Sequence, residues 1–302
     1  MPTIDILLAT YNGEEFIDEQ IKSIVSQTFQ NWQLIIHDDG STDQTVNLIH
    51  KWQKSDNRIK LVEDNIALHS SAANFMHLLE FAQSPFIMFC DQDDVWLDNK
   101  IQLMYDIISR KDNTKPQVVY TNALIWHGDD NFSGSIPFWH PKRLQDTLFL
   151  NGGIHGCLSL FNFKVLEIMK SQNYIPAMHD HLLILTGLTF GEVTYMKETL
   201  VKFRRHSQAV TNGTEIKKTP LASLLNKASF PVIDNDHYES VMNFYDRNRN
   251  ELSKEQLRLF ETYLKMPTMS LLKKELKVMC CNFTLGGSRF ELLIKILTRR
   301  YI

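Results

Sequence analysis

Pro85-Phe86-Ile87-Met88-Phe89-Cys90-Asp91-Gln92-Asp93-Asp94-Val95-Trp96 is a short apolar run that delivers three carboxylates within four residues. A run with no polar alternation reads as a strand buried on both faces. Carboxylates packed this densely at its end repel one another unless a cation lies among them, which suggests a divalent metal site; a solvated acidic loop after a strand is the other reading. Upstream, residues 4–9 form a similar run that ends in the turn Thr10-Tyr11-Asn12-Gly13, and Phe16, Ile17, Gln20, Ile21, Ile24, Val25 and Thr28 then fall on a helical period. Residues 32–37 repeat the pattern, with the turn Asp38-Asp39-Gly40-Ser41-Thr42-Asp43 and a helix carrying Val46, Leu48, Ile49 and Trp52. A third strand at 59–62 and a third helix with Phe75, Leu78, Leu79 and Ala82 lead into the acidic strand. A fourth helix follows around Ile101, Met104, Tyr105 and Ile108.

Strands alternating with helices predict an α/β fold, a Rossmann-like, mostly parallel sheet with right-handed crossovers and helices on its faces. Ligands of such sheets bind outside the carboxyl ends of the strands. The three polar clusters, at 10–13, 38–43 and 91–94, all occupy that edge. Neither a GxGxxG nor a Walker pattern is present, so a diphosphate bound here would meet a metal rather than a glycine cradle. That points back to Asp91, Asp93 and Asp94.

Further along, residues 117–124 read as a buried strand, and 129–141 carry no clear pattern. Asn151-Gly152-Gly153-Ile154-His155-Gly156-Cys157 leads into an apolar segment through Phe161, which suits either a loop close to a ligand entering another strand or a turn needing flexible dihedrals. Met178-His179-Asp180-His181 opens a helix containing Leu182, Leu183, Leu185 and Leu188. An Asp at a helix start reads first as a cap. The i, i+2 histidines lie on different helix faces, unlike a zinc-binding i, i+4 pair. Residues 193–203 predict a strand or hairpin running into Arg204-Arg205-His206-Ser207, a basic cluster suited to phosphate or to solvent.

The 302 residues are 43% hydrophobic and 22% charged with a net charge of -3, a composition that fits a soluble globule and gives no electrostatic reason to expect nucleic acid. Four cysteines without metal-ligand spacing, and an N-terminus without a basic region or cleavage site, predict a cytoplasmic protein. The organisation changes near residue 215. Residues 251–302 hold ten Lys/Arg against five Glu, a net of +5 that leaves -8 for the first 250. Helical spacing of Leu257, Phe260 and Leu264, of Leu271, Leu272 and Leu276, and of Phe290, Leu293, Ile294 and Leu297 predicts a helical region over 215–302 beside the α/β domain over 1–214. A basic amphipathic end of this kind suits the inner face of a membrane; packing on its own domain or on a second subunit is the commoner use and the one expected here.

Ala9-Thr10-Tyr11-Asn12-Gly13, Ser26-Gln27-Thr28, Asp38-Asp39-Gly40-Ser41-Thr42-Asp43 and Cys90-Asp91-Gln92-Asp93-Asp94-Val95-Trp96 together resemble glycosyltransferase family 2, whose members have the GT-A fold, use nucleotide-diphosphate sugars and invert the anomeric centre. His179-Asp180 and Phe203-Arg204-Arg205-His206-Ser207 look like the rhamnosyltransferase-type branch of bacterial polysaccharide-assembly enzymes. The motifs run in order over residues 3–213 and are more specific for the family than for the branch.

The resemblance implies that Thr10, Tyr11, Asn12 and Asp39 hold the nucleotide, with the Asp39 carboxylate accepting from the pyrimidine imide. It makes Asp91 and Asp93 the DXD motif. Asp93 is then the direct ligand of Mn2+ or Mg2+, Asp91 lies nearer the ribose beside Gln92, and Asp94 either supports the site or faces the donor sugar. His206 completes metal or diphosphate binding, Arg204 and Arg205 serve the diphosphate, and Asp180 is the catalytic base. The implied donor is a dTDP- or UDP-sugar and the implied acceptor a glycan, glycolipid or glycoprotein. His181-Leu182 replaces the branch's aromatic pair, and Asn65-Ile66-Ala67 replaces a common glycine. A noncatalytic nucleotide-sugar or glycan-binding module of the same fold is the alternative, and a nucleotidyltransferase lacks its glycine- and lysine-rich first loop here.

Overall fold

The computed structural model describes residues 3–137, 139–149, 154–206 and 231–302. Asn151, Gly152 and Gly153 of the glycine-rich stretch, Ser207 of the basic cluster and the whole of 207–230, across the expected boundary at 214, lie outside the described residues. Strands β1 (Ile4–Thr10), β2 (Trp32–Asp38), β3 (Ile59–Leu61) and β4 (Phe86–Asp91) pair in parallel in the order β3-β2-β1-β4. Between them run α1 (Ile17–Val25), α2 (Thr45–Ser55) and α3 (Ser71–Leu78). Successive side chains of β1 take opposite faces, as a pleated strand requires: Ile4, Ile6 and Leu8 pack with Ile17, Ile21 and Ile24 of α1, while Leu7 packs with Phe75 and Leu78 of α3. Both faces are covered, which explains the unbroken apolar runs.

Past β4 the sheet becomes mixed. β8 (Ser159–Asn162) lies antiparallel to β4, β6 (Gln117–Trp126) antiparallel to β8, and β9 (Glu192–Arg204) parallel to β6. The short β5 (Val95–Trp96) closes the order against β9, and β7 (Phe132–Ile136) folds back on β6. The expected parallel arrangement therefore describes the first half of the sheet. In the second half, the four-residue β8 takes the place beside β4 that the next long strand would have filled, so β6 is displaced by one position. Residues 193–203, open between strand and hairpin in the sequence, belong to one 13-residue strand.

Helices α4 (Lys100–Ile108), α5 (Phe163–Ser171) and α6 (His179–Phe190) complete the layers around the sheet, and α7 (Asn235–Asn248), α8 (Lys254–Lys265), α9 (Leu271–Cys281) and α10 (Arg289–Thr298) follow. The late helices do not build a separate core. Val241, Phe244, Phe260, Tyr263, Val278 and Leu292 join the same apolar cluster as Leu182, Leu183 and Ile184 of α6.

The expected helices form, but not every apolar residue that marked them packs inward. Leu257, Phe260 and Leu264 of α8 do pack inward, whereas Leu271, Leu272 and Leu276 of α9 are 47%, 68% and 54% exposed, and Phe290 and Leu297 of α10 are 69% and 55% exposed. The residues that anchor those two helices are Val278, Cys281, Leu292 and Ile296, on the opposite sides. Because Phe260 is fully buried in the shared cluster, Phe260→Ala is expected to lower stability by about 3–5 kcal/mol. Thermal unfolding followed by circular dichroism should show one shifted transition rather than a separate early melting of residues 231–302.

Candidate active site

Strand register brings the polar turns together. Thr10 is opposite Asp38 and Ala9 is opposite Asp91, so the ends of β1, β2 and β4 lie level at one edge. The chain leaves β1 for β2 on one side and β4 occupies the other, the topological switch point at which α/β sheets open a ligand crevice.

Several residues expected to touch nucleotide spend their side chains holding this edge. Thr10 Oγ1 donates to Asp38 Oδ1 at 2.9 Å. Asn12 receives Thr42 N on Oδ1 at 2.8 Å, and its own amide donates to Ser41 Oγ at 2.8 Å. Gln92 grips the backbone of Tyr11 from both sides, Oε1 accepting from Tyr11 N and Nε2 donating to Tyr11 O, each at 3.0 Å. A Cβ at Gly13 would lie 2.3 Å from Gln92 Oε1, so this glycine leaves room for the grip. Tyr11 itself is 53% exposed. Asp39 is buried and accepts the amides of Leu68, His69 (3.0 Å) and Ser70 (3.1 Å), thereby shaping the loop before α3. Below that loop Asp64 meets His37 at 3.3 Å and His77 at 2.5 Å, and His37 Nδ1 is 2.8 Å from Asn74 Oδ1.

The acidic edge is electrostatically strained. Burial, and then the charge of Asp93, raises Asp91 to about 6. Burial followed by Asp93 and Asp91 pushes Asp94 well above the carboxylate range. Asp94 Oδ1 accepts from Arg204 N at 3.1 Å, while the buried Oδ2 has no hydrogen-bond partner. Behind the cluster lies Lys100, fully buried, with Nζ 2.6 Å from Cys157 O and 3.3 Å from the centre of the Trp96 ring. Burial lowers this ammonium to about 8, while Cys157, Cys90, Asp94 and Asp91 hold it up. Ligand atoms of Asp91, Asp94 and Cys157 lie within 4.8 Å of one another.

Asp93 faces away from this buried group. Its Oδ2 is 2.7 Å from His206 Nε2, and both side chains are partly open to solvent. The contact depends on β9 pairing with β5, where Val95 is opposite Lys202 and Trp96 opposite Val201. The unpartnered oxygen of Asp94 and the mutual repulsion of the three acids fit a hard divalent cation such as Mn2+ or Mg2+, with Asp93 and His206 as the accessible donors. Arg204 Nε donates to Asp93 O at 2.7 Å, the guanidinium pairs with Glu19 at 2.5 Å, and it lies 4.1 Å from the centre of the Trp126 ring. It braces the acidic loop. Arg205 lies over the Phe203 ring at 5.1 Å.

Asp180 occupies the first turn of α6, and its Oδ1 accepts from His181 N at 2.7 Å. Burial raises its carboxyl to about 7 against the opposing His181 amide, and the charge of Asp91 adds to the rise. The two carboxylates thus feel each other although 89 positions separate them in the chain. Neither flanking histidine joins them: His179 stacks on Phe75 at 4.0 Å, and His181 Nε2 lies 3.0 Å from Thr147 O. Gly156 has its own packing reason, since a Cβ there would lie 2.7 Å from His179 Nε2. Lys100 is the residue near the three acids that the sequence did not single out, hinted at only by their need for a counter-charge, whereas Cys157 closes the 151–157 stretch read there as a possible loop close to a ligand.

Residues 5–169 match the sequence profile described as Glycosyl transferase family 2. The chain belongs to this family. It is a glycosyltransferase, and its α/β sheet is of the GT-A kind. The putative glycosyltransferase EpsE of Bacillus subtilis is 31% identical over 277 residues, covering 85% of this chain and 97% of the relative. The UDP-Glc:alpha-D-GlcNAc-diphosphoundecaprenol beta-1,3-glucosyltransferase WfgD of Escherichia coli is 33% identical over 158 residues, covering 52% of this chain and 58% of that relative's length. Among solved structures, S. aureus TarS 1-349 in complex with UDP superposes with a TM-score of 0.59 at 14% identity, over 92% of this chain and 75% of that one, a likeness of fold.

The grip of Gln92 on Tyr11 gives a direct test of how this edge is built. Gly13→Ala is expected to cost about 1–3 kcal/mol by forcing Gln92 aside, and Gln92→Ala to relieve much of that cost. Chemical denaturation of the two single variants and the double variant should therefore give a sum larger than the double-variant loss.

Proposed function

We propose that this glycosyltransferase is metal-dependent and inverting, and that it moves a hexose or deoxyhexose from a UDP- or dTDP-sugar to a hydroxyl of a lipid-linked glycan in surface polysaccharide assembly. The observation that carries the reading is Asp180, a carboxyl raised to about 7 within the field of Asp91 at the crevice. In-line displacement at an anomeric carbon needs a base on the acceptor hydroxyl and stabilisation of the leaving diphosphate. Asp180 supplies the first by taking the hydroxyl proton on its carboxylate. Its raised value suits the task, because a base poised near neutrality is both ionised and basic enough to pull the proton.

Asp93 and His206 would hold Mn2+ or Mg2+, which when bound supplies positive charge opposite the leaving diphosphate. The exposed ring of Tyr11 and the carboxylates of Asp39 and Asp91 face the nucleoside. Asp39 retains acceptor capacity beyond its backbone donors. Thr10, Asn12, Gln92 and Arg204 act by positioning these groups, Asp94 supports Asp93 from below, and Arg205 serves the diphosphate. The pyrimidine donor is supported by the UDP carried in the TarS structure and by the UDP-Glc in the name of WfgD, and the lipid-linked acceptor by that same name. The resemblance to rhamnosyltransferases adds dTDP-rhamnose to the donors.

A panel of UDP-glucose, UDP-N-acetylglucosamine and dTDP-rhamnose, each with Mn2+, with Mg2+ and with chelator, tests the assignment. One donor should raise the melting temperature only with metal and should be slowly hydrolysed. No shift with any donor overturns the donor-binding reading, and binding without hydrolysis or transfer would reassign the chain as a noncatalytic module.

Asp180→Asn is expected to lower turnover about 10²–10⁴-fold, as loss of a general base does. In the unsubstituted enzyme kcat/KM should fall as pH drops below about 7, the value to which Asp180 is raised. The same variant should gain stability. A carboxyl with a raised folded value binds protons more tightly when folded, so its ionisation opposes folding progressively from its unfolded value near 3.8 up to about 7. Asp180→Asn should therefore be more stable than the parent at pH 8, by roughly 1–3 kcal/mol given its partial exposure, with the difference vanishing near pH 4. Denaturation curves at the two pH values measure this, and equal stability at pH 8 contradicts the raised value.

A further inference from the structure

Helices α9 and α10 carry two apolar stripes each. The inner ones, Val278 with Cys281 and Leu292 with Ile296, are buried. The outer ones are Leu272, Leu276 and Met279, and Phe290, Ile294 and Leu297, each spaced i, i+4, i+7. At 100° per residue each outer stripe lies roughly opposite its inner one. The two helices pack side by side, and Leu272, Leu276, Met279, Phe290 and Leu297 are each more than half exposed. Among the described residues nothing covers them. A solvated helix face gains nothing from large apolar side chains at this spacing, so a surface of this kind marks a contact.

The charges around the stripes select the partner. Residues 271–302 hold seven Lys/Arg against two Glu, and Lys273, Lys277, Arg289 and Arg300 are exposed. Two copies joined through this patch about a twofold axis would bring the same net +5 face to face, which opposes a self-complementary dimer. A bilayer with anionic headgroups satisfies both features, taking the apolar stripes into the headgroup boundary and the basic side chains against phosphate. No helix among the described residues is long and apolar enough to cross a membrane, so the contact is one of lying on the surface.

We propose that the paired outer faces of α9 and α10 form a docking surface for an anionic lipid bilayer. This inference stands apart from the donor and base assignments, because it is read by partition and needs no turnover. The full chain is sedimented with vesicles of phosphatidylcholine alone and with vesicles of equimolar phosphatidylglycerol and phosphatidylcholine. The chain should pellet with the anionic vesicles and release as salt rises. Leu272→Gln combined with Phe290→Gln should lower the bound fraction at least ~tenfold, and Lys273→Gln combined with Lys277→Gln should weaken binding and flatten its salt dependence.

Circular dichroism and donor hydrolysis should be unchanged in both variants, since all four residues are exposed and remote in sequence from the site. The proposal is overturned if the unsubstituted chain stays in the supernatant with anionic vesicles, if it binds neutral vesicles equally, or if the Leu272/Phe290 variant binds as well as its parent. Analytical ultracentrifugation supplies the remaining outcome. A dimer that the Leu272/Phe290 variant converts to monomer would assign the face to a second copy instead.

Discussion

Everything at the crevice is arranged around a repulsion. β4 ends with Asp91, Asp93 and Asp94 crowded together, and the fold tolerates them through unequal environments. Asp94 is sunk inside, with one oxygen on the Arg204 amide and the other unpartnered. Asp91 is half-buried and raised to about 6. Asp93 turns outward to His206. Lys100 places a buried positive charge behind them, at the expense of an ammonium lowered to about 8. Three identical carboxyls in sequence thus become a protonatable strut, a modulated neighbour and a partly open partner of His206. That inequality lets one acidic stretch hold a strand end together while keeping one carboxylate open to solvent.

Around this edge the polar side chains divide their labour. Gln92, Asn12 and Thr10 fix loops to loops, and Tyr11 between them is left 53% exposed. Asp180 comes from α6, which packs against α3, β6 and β9 and is seated by the fused helical core. Active-site geometry therefore rests on the C-terminal helices as well, because Leu182, Leu183 and Ile184 share a cluster with Phe260 and Tyr263.

What could be read in the sequence follows from how local its causes are. The strand–turn–helix units of the first hundred residues announce themselves through unbroken apolar runs and a helical period, and the level edge of polar turns follows from parallel pairing. β8 was legible only as an apolar segment entering a strand through Phe161, whereas its place beside β4 is decided by packing. Which way α9 and α10 face was hidden because each is apolar on two sides, so periodicity reports a helix without saying which stripe is buried. Lys100 looks like any lysine opening a helix. Its burial is a property of Trp96 and Cys157 closing over it, and the latter lies 57 positions away.

The pairing of β5 with β9 has a kinetic meaning. His206 lies 113 positions from Asp93, and Arg204 lies 110 positions from Asp94. Contacts so distant along the chain form only after a large loop has closed, which makes them late events in folding. During synthesis the acidic strand end must wait through more than a hundred further residues before its brace and its histidine arrive. Until then the Lys100 charge, only a few positions away, is the nearest compensation it has. The Asp93–His206 side of the crevice is in this sense a checkpoint for the whole chain, completed only when β9 docks.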